Sequence, residues 1–196
     1  RVFNVIVTAQ NDEPAFDAIS DRTVAEESEL RFTAVASDID GDLLSFSLEP
    51  GAPAGAGIHP ATGEFSWVPT EAQGPGVYSI AIRVKDNAET SFHVVRSFQV
   101  TVTEDNSAPV IGAVARQSVR EGESLRLMVP ASDPDVPTQA VTFSLASGAP
   151  TGASLNAATG EITWTPTEAQ GPGSYDVTVG VADSGSPSLS ATQSFT

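Results

Sequence analysis

Apolar and polar residues alternate in short runs along the whole chain, and the alternation predicts strands throughout. In residues 2–8, Phe3, Val5 and Val7 fall on one face and Asn4, Ile6 and Thr8 on the other, until Asn11-Asp12-Glu13-Pro14 ends the run. Leu30, Phe32, Ala34 and Ala36 predict a second strand and Leu44, Phe46 and Leu48 a third. Glu64–Trp67 predicts a short one, Tyr78, Ile80, Ile82 and Val84 a long one, and Phe98, Val100 and Val102 the last. Gly, Pro, Asn and Asp cluster between these runs, as turns require. No window shows a helical period. About seven short strands in roughly 100 residues predict an all-β fold, an Ig-like sandwich of two antiparallel sheets.

The pattern occurs twice. Gly51–Asp86 reappears as Gly148–Asp183, with Gly63, Trp67, Glu71 and Tyr78 each displaced by 97 positions to Gly160, Trp164, Glu168 and Tyr175. Earlier landmarks are displaced by 95, which places a two-residue insertion near Pro137-Thr138-Gln139. A repeat of this length is one small domain with its own core. The expected division is a first domain over 11–105 and a second over 106–196, with Asn-x-x-Pro segments as stiff linkers. Residues 1–10 match the last strand of a unit and read as the closing strand of a preceding repeat, so the chain reads as a piece of a longer array. The second unit is expected to stop at Thr196 with most of its own last strand missing. A strand from residues 2–8 of one molecule is then expected to complete the second domain of the next.

Charge narrows the partners. Lys and Arg number 9 against 25 Asp and Glu, a net charge of −16. Residues 1–108 carry 17 acidic and 6 basic residues, and 109–196 carry 8 and 3. Such a surface repels a phosphate backbone, so nucleic acid is not an expected partner, and anionic membrane surfaces are disfavoured. No apolar run approaches the length of a membrane span. With no cysteine, the fold uses neither disulfides nor thiolate chemistry.

Acidic residues recur at matching places: Glu26 with Glu121, Asp38-x-Asp40 with Asp133-x-Asp135, Glu71 with Glu168, and Asp86 with Asp183. Each falls at a strand end or in a turn. The order of Glu, Ala-Ser-Asp-x-Asp, Ala-Thr-Gly-Glu, an acidic strand end and Asn-x-x-Pro resembles the cadherin repeat. It is most similar to the bacterial cadherin-like and Putative Ig repeats, dystroglycan-type cadherin-like domains among them. Ala182-Asp183-Ser184-Gly185-Ser186-Pro187 resembles the family's Asp-x-Gly-x-Pro segment. The resemblance implies Ca²⁺ at the joint between consecutive repeats. Its ligands there would be Glu26 and Glu71 from the first unit, Asp105 and Asn106 from the linker, and Asp133, Asp135 and Asp183 from the second. A second half-site would use Asn11, Asp12, Asp38, Asp40 and Asp86. Hard oxygen donors, six to eight per ion, are what calcium takes. The linker Thr103-Glu104-Asp105-Asn106-Ser107-Ala108-Pro109 keeps only part of the family's pattern, and Pro69-Thr70-Glu71 replaces its Asp-Arg-Glu turn. These departures reduce the implied three ions per joint to one or two. Against this stands the plain reading of the same carboxylates as solvated loop residues.

Other features read as structural. Trp67 and Trp164 could stack on sugar rings, but their strand context predicts core packing. Tyr78 and Tyr175 read as corner tyrosines whose hydroxyls meet nearby backbone. Gly74-Pro75-Gly76 and Gly171-Pro172-Gly173 are turns, since no helix follows to make a phosphate site. His59 and His93 face Asn156 and Ser190 in the other copy, which gives no repeated triad or zinc site. Catalysis is not expected. The expected function is structural and adhesive: a repeat module of an extracellular or cell-surface protein whose partners are neighbouring copies or repeats. The alternative is a calcium-dependent polysaccharide-binding module attached to a secreted protein, and a cell-surface protein is a further candidate partner.

Overall fold

The computed structural model describes residues 4–6 and 10–196. The chain divides into two compact units, Arg1–Asp105 and Asn106–Thr196. Each is a β-sandwich whose only helical elements, among the described residues, are single 3₁₀ turns.

In the first unit the strands are β1 (Ala15–Phe16), β2 (Arg22–Ala25), β3 (Leu30–Thr33), β4 (Ala36–Ser37), β5 (Ser45–Leu48), β6 (Gly57–Ile58), β7 (Glu64–Trp67), β8 (Gly76–Lys85) and β9 (His93–Thr103). One sheet runs β2-β9-β8-β5, a second β3-β7-β6, and β1 pairs with β4. The long hairpin of β8 and β9 is paired over ten positions, from Gly76↔Val102 to Lys85↔His93. Its alternate residues Ile80, Ile82, Val84, Phe98, Val100 and Val102 are buried. They meet Leu30, Phe65 and Trp67 of the facing sheet in one apolar cluster. Phe32 stacks on Phe65 at 5.0 Å between ring centroids, and Phe98 meets both edge-on. Packing of this kind adds orientation to simple burial.

The run Leu30–Ala36, expected as one strand, is two. β3 pairs with β7, whereas β4 pairs with β1. Ala34 N–H donates to the carbonyl of Gly63 between them, and the chain changes sheets there, a common sandwich corner. Gly63 is required at that corner. Its φ is +69°, and a Cβ on it would lie 2.5 Å from the Ala34 carbonyl oxygen.

The second unit has β10 (Val110–Ile111), β11 (Leu125–Met128), β12 (Ala131–Ser132), β13 (Thr142–Leu145), β14 (Ser154–Leu155), β15 (Glu161–Trp164), β16 (Val177–Ala182) and β17 (Ser190–Phe195). Its sheets are β13-β16-β17 and β11-β15-β14, with β10 paired to β12. The expectation that most of the last strand is missing is corrected in part: β17 matches His93–Phe98, the first six of the eleven residues of β9. β17 pairs with β16 at six positions, from Val177↔Phe195 to Ala182↔Ser190. β16 lies between β13, which pairs with Val179–Ala182, and β17, which pairs with all six of its residues, and Tyr175 precedes it. Of the expected strand over 2–8, residues 2, 3, 7 and 8 lie outside the described residues. Asn4–Ile6 carry no strand, with Val5 and Ile6 exposed.

Candidate metal centres

Strand pairing decides which carboxylates meet. β2 and β9 are parallel, with Ala25 opposite Thr103. Parallel strands end on the same side, so the next residues, Glu26 and Glu104, emerge together. The Glu26 N–H continues the ladder to the Thr103 carbonyl at 3.0 Å. Glu71 arrives from the 3₁₀ turn Glu71–Gln73. That turn is closed locally, with the Thr70 N–H donating to Gln73 Oε1 at 2.9 Å and Gln73 Nε2 donating to the Ala54 carbonyl at 3.2 Å. Carboxylate oxygens of Glu26, Glu71 and Glu104 lie within 4.8 Å of one another. Glu26 is 1% exposed. Its Oε1 accepts the Asp105 N–H at 3.0 Å, while its buried Oε2 has no hydrogen-bond partner. A buried polar atom left in this state is costly unless something else satisfies it. Gly74 makes the space: a Cβ there would stand 1.8 Å from Glu26 Oε2. Asp105 joins through its backbone, and its own exposed carboxylate lies outside the group of three.

A second cluster forms at the end of the first unit that bears β1. The loop after β4 carries Asp38, Asp40 and Asp42, whose oxygens also lie within 4.8 Å of one another. Asp38 Oδ1 accepts the N–H of Asp40 at 2.8 Å and of Asp42 at 3.3 Å, folding the loop around one carboxylate. Asp86 follows β8, which pairs with the start of β5, and so stands beside this loop. The Asp12 N–H donates to Asp40 Oδ2 at 2.8 Å, and Asn11 Nδ2 donates to Asp86 Oδ2 at 3.0 Å. Burial and then the negative charges of Asp38, Asp86 and Asp40 push the Asp42 carboxyl above its usual range. Burial also acts upward on Asp86. Hydrogen bonds from the Phe92 N–H, Asn11, Ser91 and the Ala88 N–H outweigh it and hold this carboxyl below its usual range.

The second unit repeats the frame. Asn106 Nδ2 donates to Asp183 Oδ2 at 3.1 Å, as Asn11 does to Asp86. The Ser107 N–H donates to Asp135 at 3.1 Å, and the Asp135 N–H to Asp133 Oδ1 at 3.2 Å. Asp183 is pushed up by burial but held below its usual range by the Leu189 and Gly185 N–H groups, Asn106 and Ser188. Asp133, Asp135 and Asp183 are all buried, and Asp133 Oδ2 has no partner.

The expected residues thus fall into three groups. Glu26 and Glu71 meet in one. Asn11, Asp12, Asp38, Asp40 and Asp86 meet in another, with Asp12 joining through its N–H. Asn106, Asp133, Asp135 and Asp183 meet in the third. Sequence reasoning missed Glu104 and Asp42. The parallel β2–β9 register reveals the first. The spacing Asp38-x-Asp40-x-Asp42 signals the second, since alternate residues of a tight loop can turn to one point. Every candidate ligand atom is a hard oxygen, and buried unpartnered oxygens stand in all three groups, at Glu26, at Asn11 and Asp38, and at Asp133, so the residues fit a calcium-type cation.

The other candidates are structural in each copy. Trp67 and Trp164 are 1% and 9% exposed and cannot serve as sugar platforms. Their indole N–H groups donate at 3.2 Å to the carbonyls of Ala54 and Thr151. Each ring meets a tyrosine edge-on, and the Tyr78 and Tyr175 hydroxyls donate to the carbonyls of Gln73 and Gln170 at 2.7 and 2.9 Å. His59 Nδ1 accepts the N–H groups of Ala61 and Thr62, the role that Asn156 Oδ1 fills in the second unit. It is a turn residue. Among the described residues no helix is long and apolar enough to cross a membrane.

Solved structures share this architecture. The chain is similar to Drosophila N-cadherin EC1-4, with 16% identity and a TM-score of 0.60, over 94% of this chain and 49% of that one. It therefore spans about half the length of that structure. It is similar to human protocadherin-24 EC1-2 at 20% identity and a TM-score of 0.54, over 95% and 96%. It is similar to human CDH23 EC21-23 at 17% identity and a TM-score of 0.58, over 98% and 66%. At these identities the likeness is one of fold. No curated protein matches the sequence. The model of the Putative Ig domain family matches residues 4–103 and again 108–196. The chain belongs to the Putative Ig domain family and consists of two tandem cadherin-like repeats.

Proposed function

We propose that these two repeats are structural or adhesive modules of an extracellular protein, and that calcium stiffens the joint between them. The observation that carries this reading is Glu26: a buried carboxylate with one oxygen unsatisfied, within reach of Glu71 and Glu104. Three carboxylates so close repel one another, and a divalent cation turns that repulsion into shared coordination. Only one residue separates Glu104 from Asn106, so ions held by the two groups they serve would be tethered across a very short linker. The proposed role is mechanical, with no catalysis. Affinity in the range of extracellular modules, about 10⁻⁴–10⁻³ M, suits an ion that is always present outside the cell. The test is a melting curve and a scattering profile in calcium and in chelator. Calcium should raise the melting temperature and reduce the spread of interdomain distances. Glu26→Gln should remove both effects with the sandwiches still folded. Identical profiles in calcium and chelator sink the reading.

Assembly between copies belongs to the same proposal. In the first unit Val100–Thr103 of β9 lies beside β2. The matching segment of the second unit, 117–120, meets the chain where the Gln117 N–H donates to the Thr196 carbonyl. A cavity of about 890 Å³, lined by Gln117, Val119, Trp164, Tyr175 and Phe195 among others, lies next to it. Residues 4–8, Asn-Val-Ile-Val-Thr, match Gln99–Thr103 in alternation. Strand addition from a second copy would fill that cavity head to tail. Deleting residues 1–10 should abolish concentration-dependent light scattering, and unchanged assembly would rule strand addition out.

A further inference from the structure

The two Asp-x-Asp loops are held by the same hydrogen bonds, with one difference in what they present. The Asp42 N–H donates to Asp38 Oδ1 at 3.3 Å, and the Gln139 N–H donates to Asp133 Oδ1 at 3.2 Å. Gln139 thus occupies, through its backbone, the place of Asp42. Two extra residues precede it, and the third carboxylate of the loop has become a neutral amide. That amide is engaged. Gln139 Nε2 donates to Asp135 Oδ2 at 2.7 Å and also to Asn106 Oδ1. It bridges the side-chain oxygens of Asp135 and Asn106. Asp135 is fully buried, while Asp133 Oδ2, also buried, and Gln139 Oε1 remain without partners. The site is therefore satisfied in part by a side chain of its own and left incomplete for an ion.

We propose that Gln139 is an internal stand-in for the cation: its amide latches Asp135 and Asn106 together, and a divalent ion must displace it. This rests on the calcium reading above. An amide N–H aimed at a carboxylate occupies the same lone pairs that a metal would coordinate, and such charge-assisted bonds are strong. The exchange of Asp42 for Gln139 also removes one negative charge from the loop, and ligand charge is a main determinant of calcium affinity. The two loops accordingly differ in task. The loop of the first unit depends on its ion. That of the second keeps its shape without one and takes calcium more weakly.

The test uses the whole chain and reads each loop separately by NMR. Backbone amides of Ser107 and Asp135 report on the second unit, and those of Asp12 and Asp40 on the first, during a titration with calcium chloride. Gln139→Ala removes the latch, and Gln139→Asp removes it and restores the charge. Gln139→Ala should tighten the dissociation constant read at Ser107 by about tenfold, the cost of one charge-assisted hydrogen bond. Gln139→Asp should tighten it further, and neither should change the constant read at Asp12. In chelator, Gln139→Ala should melt at a lower temperature than the wild type, and in saturating calcium at the same temperature. If Gln139→Ala weakens binding at Ser107, the amide is a ligand and the latch is wrong. Unchanged binding overturns the latch but leaves the calcium reading standing. No calcium-dependent shift at either loop, in any of the three proteins, overturns both.

Discussion

The two units carry the same hydrogen-bond frame around different interiors and different charges. Asn11 and Asn106, Asp86 and Asp183, Tyr78 and Tyr175, and Trp67 and Trp164 make matching bonds in each. The side chains packed inside that frame diverge. The ring trio Phe32, Phe65 and Phe98 becomes Leu127, Ile162 and Phe195. A ten-residue β8 corresponds to a six-residue β16. The difference separates two jobs that one sequence must do. Turn and corner bonds specify the fold and barely vary, while core volume and loop charge are free to drift and set stability and ion affinity unit by unit. Such a chain should melt in two steps, the second unit first, because it has fewer fully buried large side chains.

The largest effects should come from the part that is shared. Trp67→Ala and Trp164→Ala should each cost roughly 3–5 kcal/mol in their own unit, since a buried indole leaves a large cavity. Each substitution should shift only one of the two thermal transitions. A loss below about 1 kcal/mol at either tryptophan would mean that the Trp–Tyr corner supports one unit and is incidental in the other.

A smaller effect separates the two Gly-Pro-Gly turns. A Cβ on Gly74 would meet Glu26 Oε2, and one on Gly171 would meet Glu121 Oε2 at 2.1 Å. Glu26 is buried and bonded to the Asp105 N–H, whereas Glu121 is exposed. Gly74→Ala should therefore cost roughly 1–3 kcal/mol and abolish the calcium-dependent rise in melting temperature. Gly171→Ala should be nearly silent, because an exposed carboxylate can swing aside. Equal costs would show that backbone conformation, and not the buried carboxylate, is what these glycines serve.

These comparisons explain what could be read from sequence. Alternation located Glu64–Trp67 and the long β8–β9 hairpin, because a strand with one buried face must alternate. The same alternation ran through Leu30–Ala36 without marking the change of sheets at Ala34, which depends on a contact with Gly63 made across the fold. The missed strands β1, β6, β10 and β14 are two-residue pairings too short to carry a period, and β2, also missed, has only Val24 buried, so it shows no alternation. In the candidate centres, repetition identified the residues that recur, such as Asp38 and Asp133. Asp42 and Gln139 escaped because they differ between copies, although that difference is what distinguishes the loops.

A third pair of substitutions tests backbone strain. Glu27 has φ +57°, and Gly122 holds the same place with φ +77°. Each donates its N–H to a proline carbonyl, Pro69 at 2.7 Å and Pro166 at 2.8 Å, so the conformation is fixed by the frame in both units. The left-handed region suits glycine and strains other residues. Glu27→Gly should raise the stability of the first unit by roughly 0.5–1 kcal/mol, and Gly122→Ala should lower that of the second by about 1 kcal/mol. Opposite signs in chemical denaturation would support a shared strain site, and equal signs would break the equivalence.

The smallest effect lies in an ion pair that only the first unit has. Arg83 on β8 meets Glu49, with its Nη2 donating to Glu49 Oε2 at 3.1 Å. The 97-residue displacement puts Gly180 and Ala146 at those places in the second unit. The hydrogen bond from Arg83 holds the Glu49 carboxyl below its usual range, against an upward push from burial and with help from the Arg83 charge. A carboxyl depressed in the folded state contributes stability that is fully present above its unfolded pKa and is lost as the pH falls through the folded value. Arginine stays charged throughout, so the glutamate alone sets the window. The melting temperature of the first unit should therefore fall as the pH drops through the carboxylate range, and Glu49→Gln should flatten part of that slope. The pair is partly exposed, so added salt should also weaken it. The transition of the second unit should keep its slope in the Glu49→Gln protein. If the substitution changes both transitions alike, the ion pair does not act on the first unit alone.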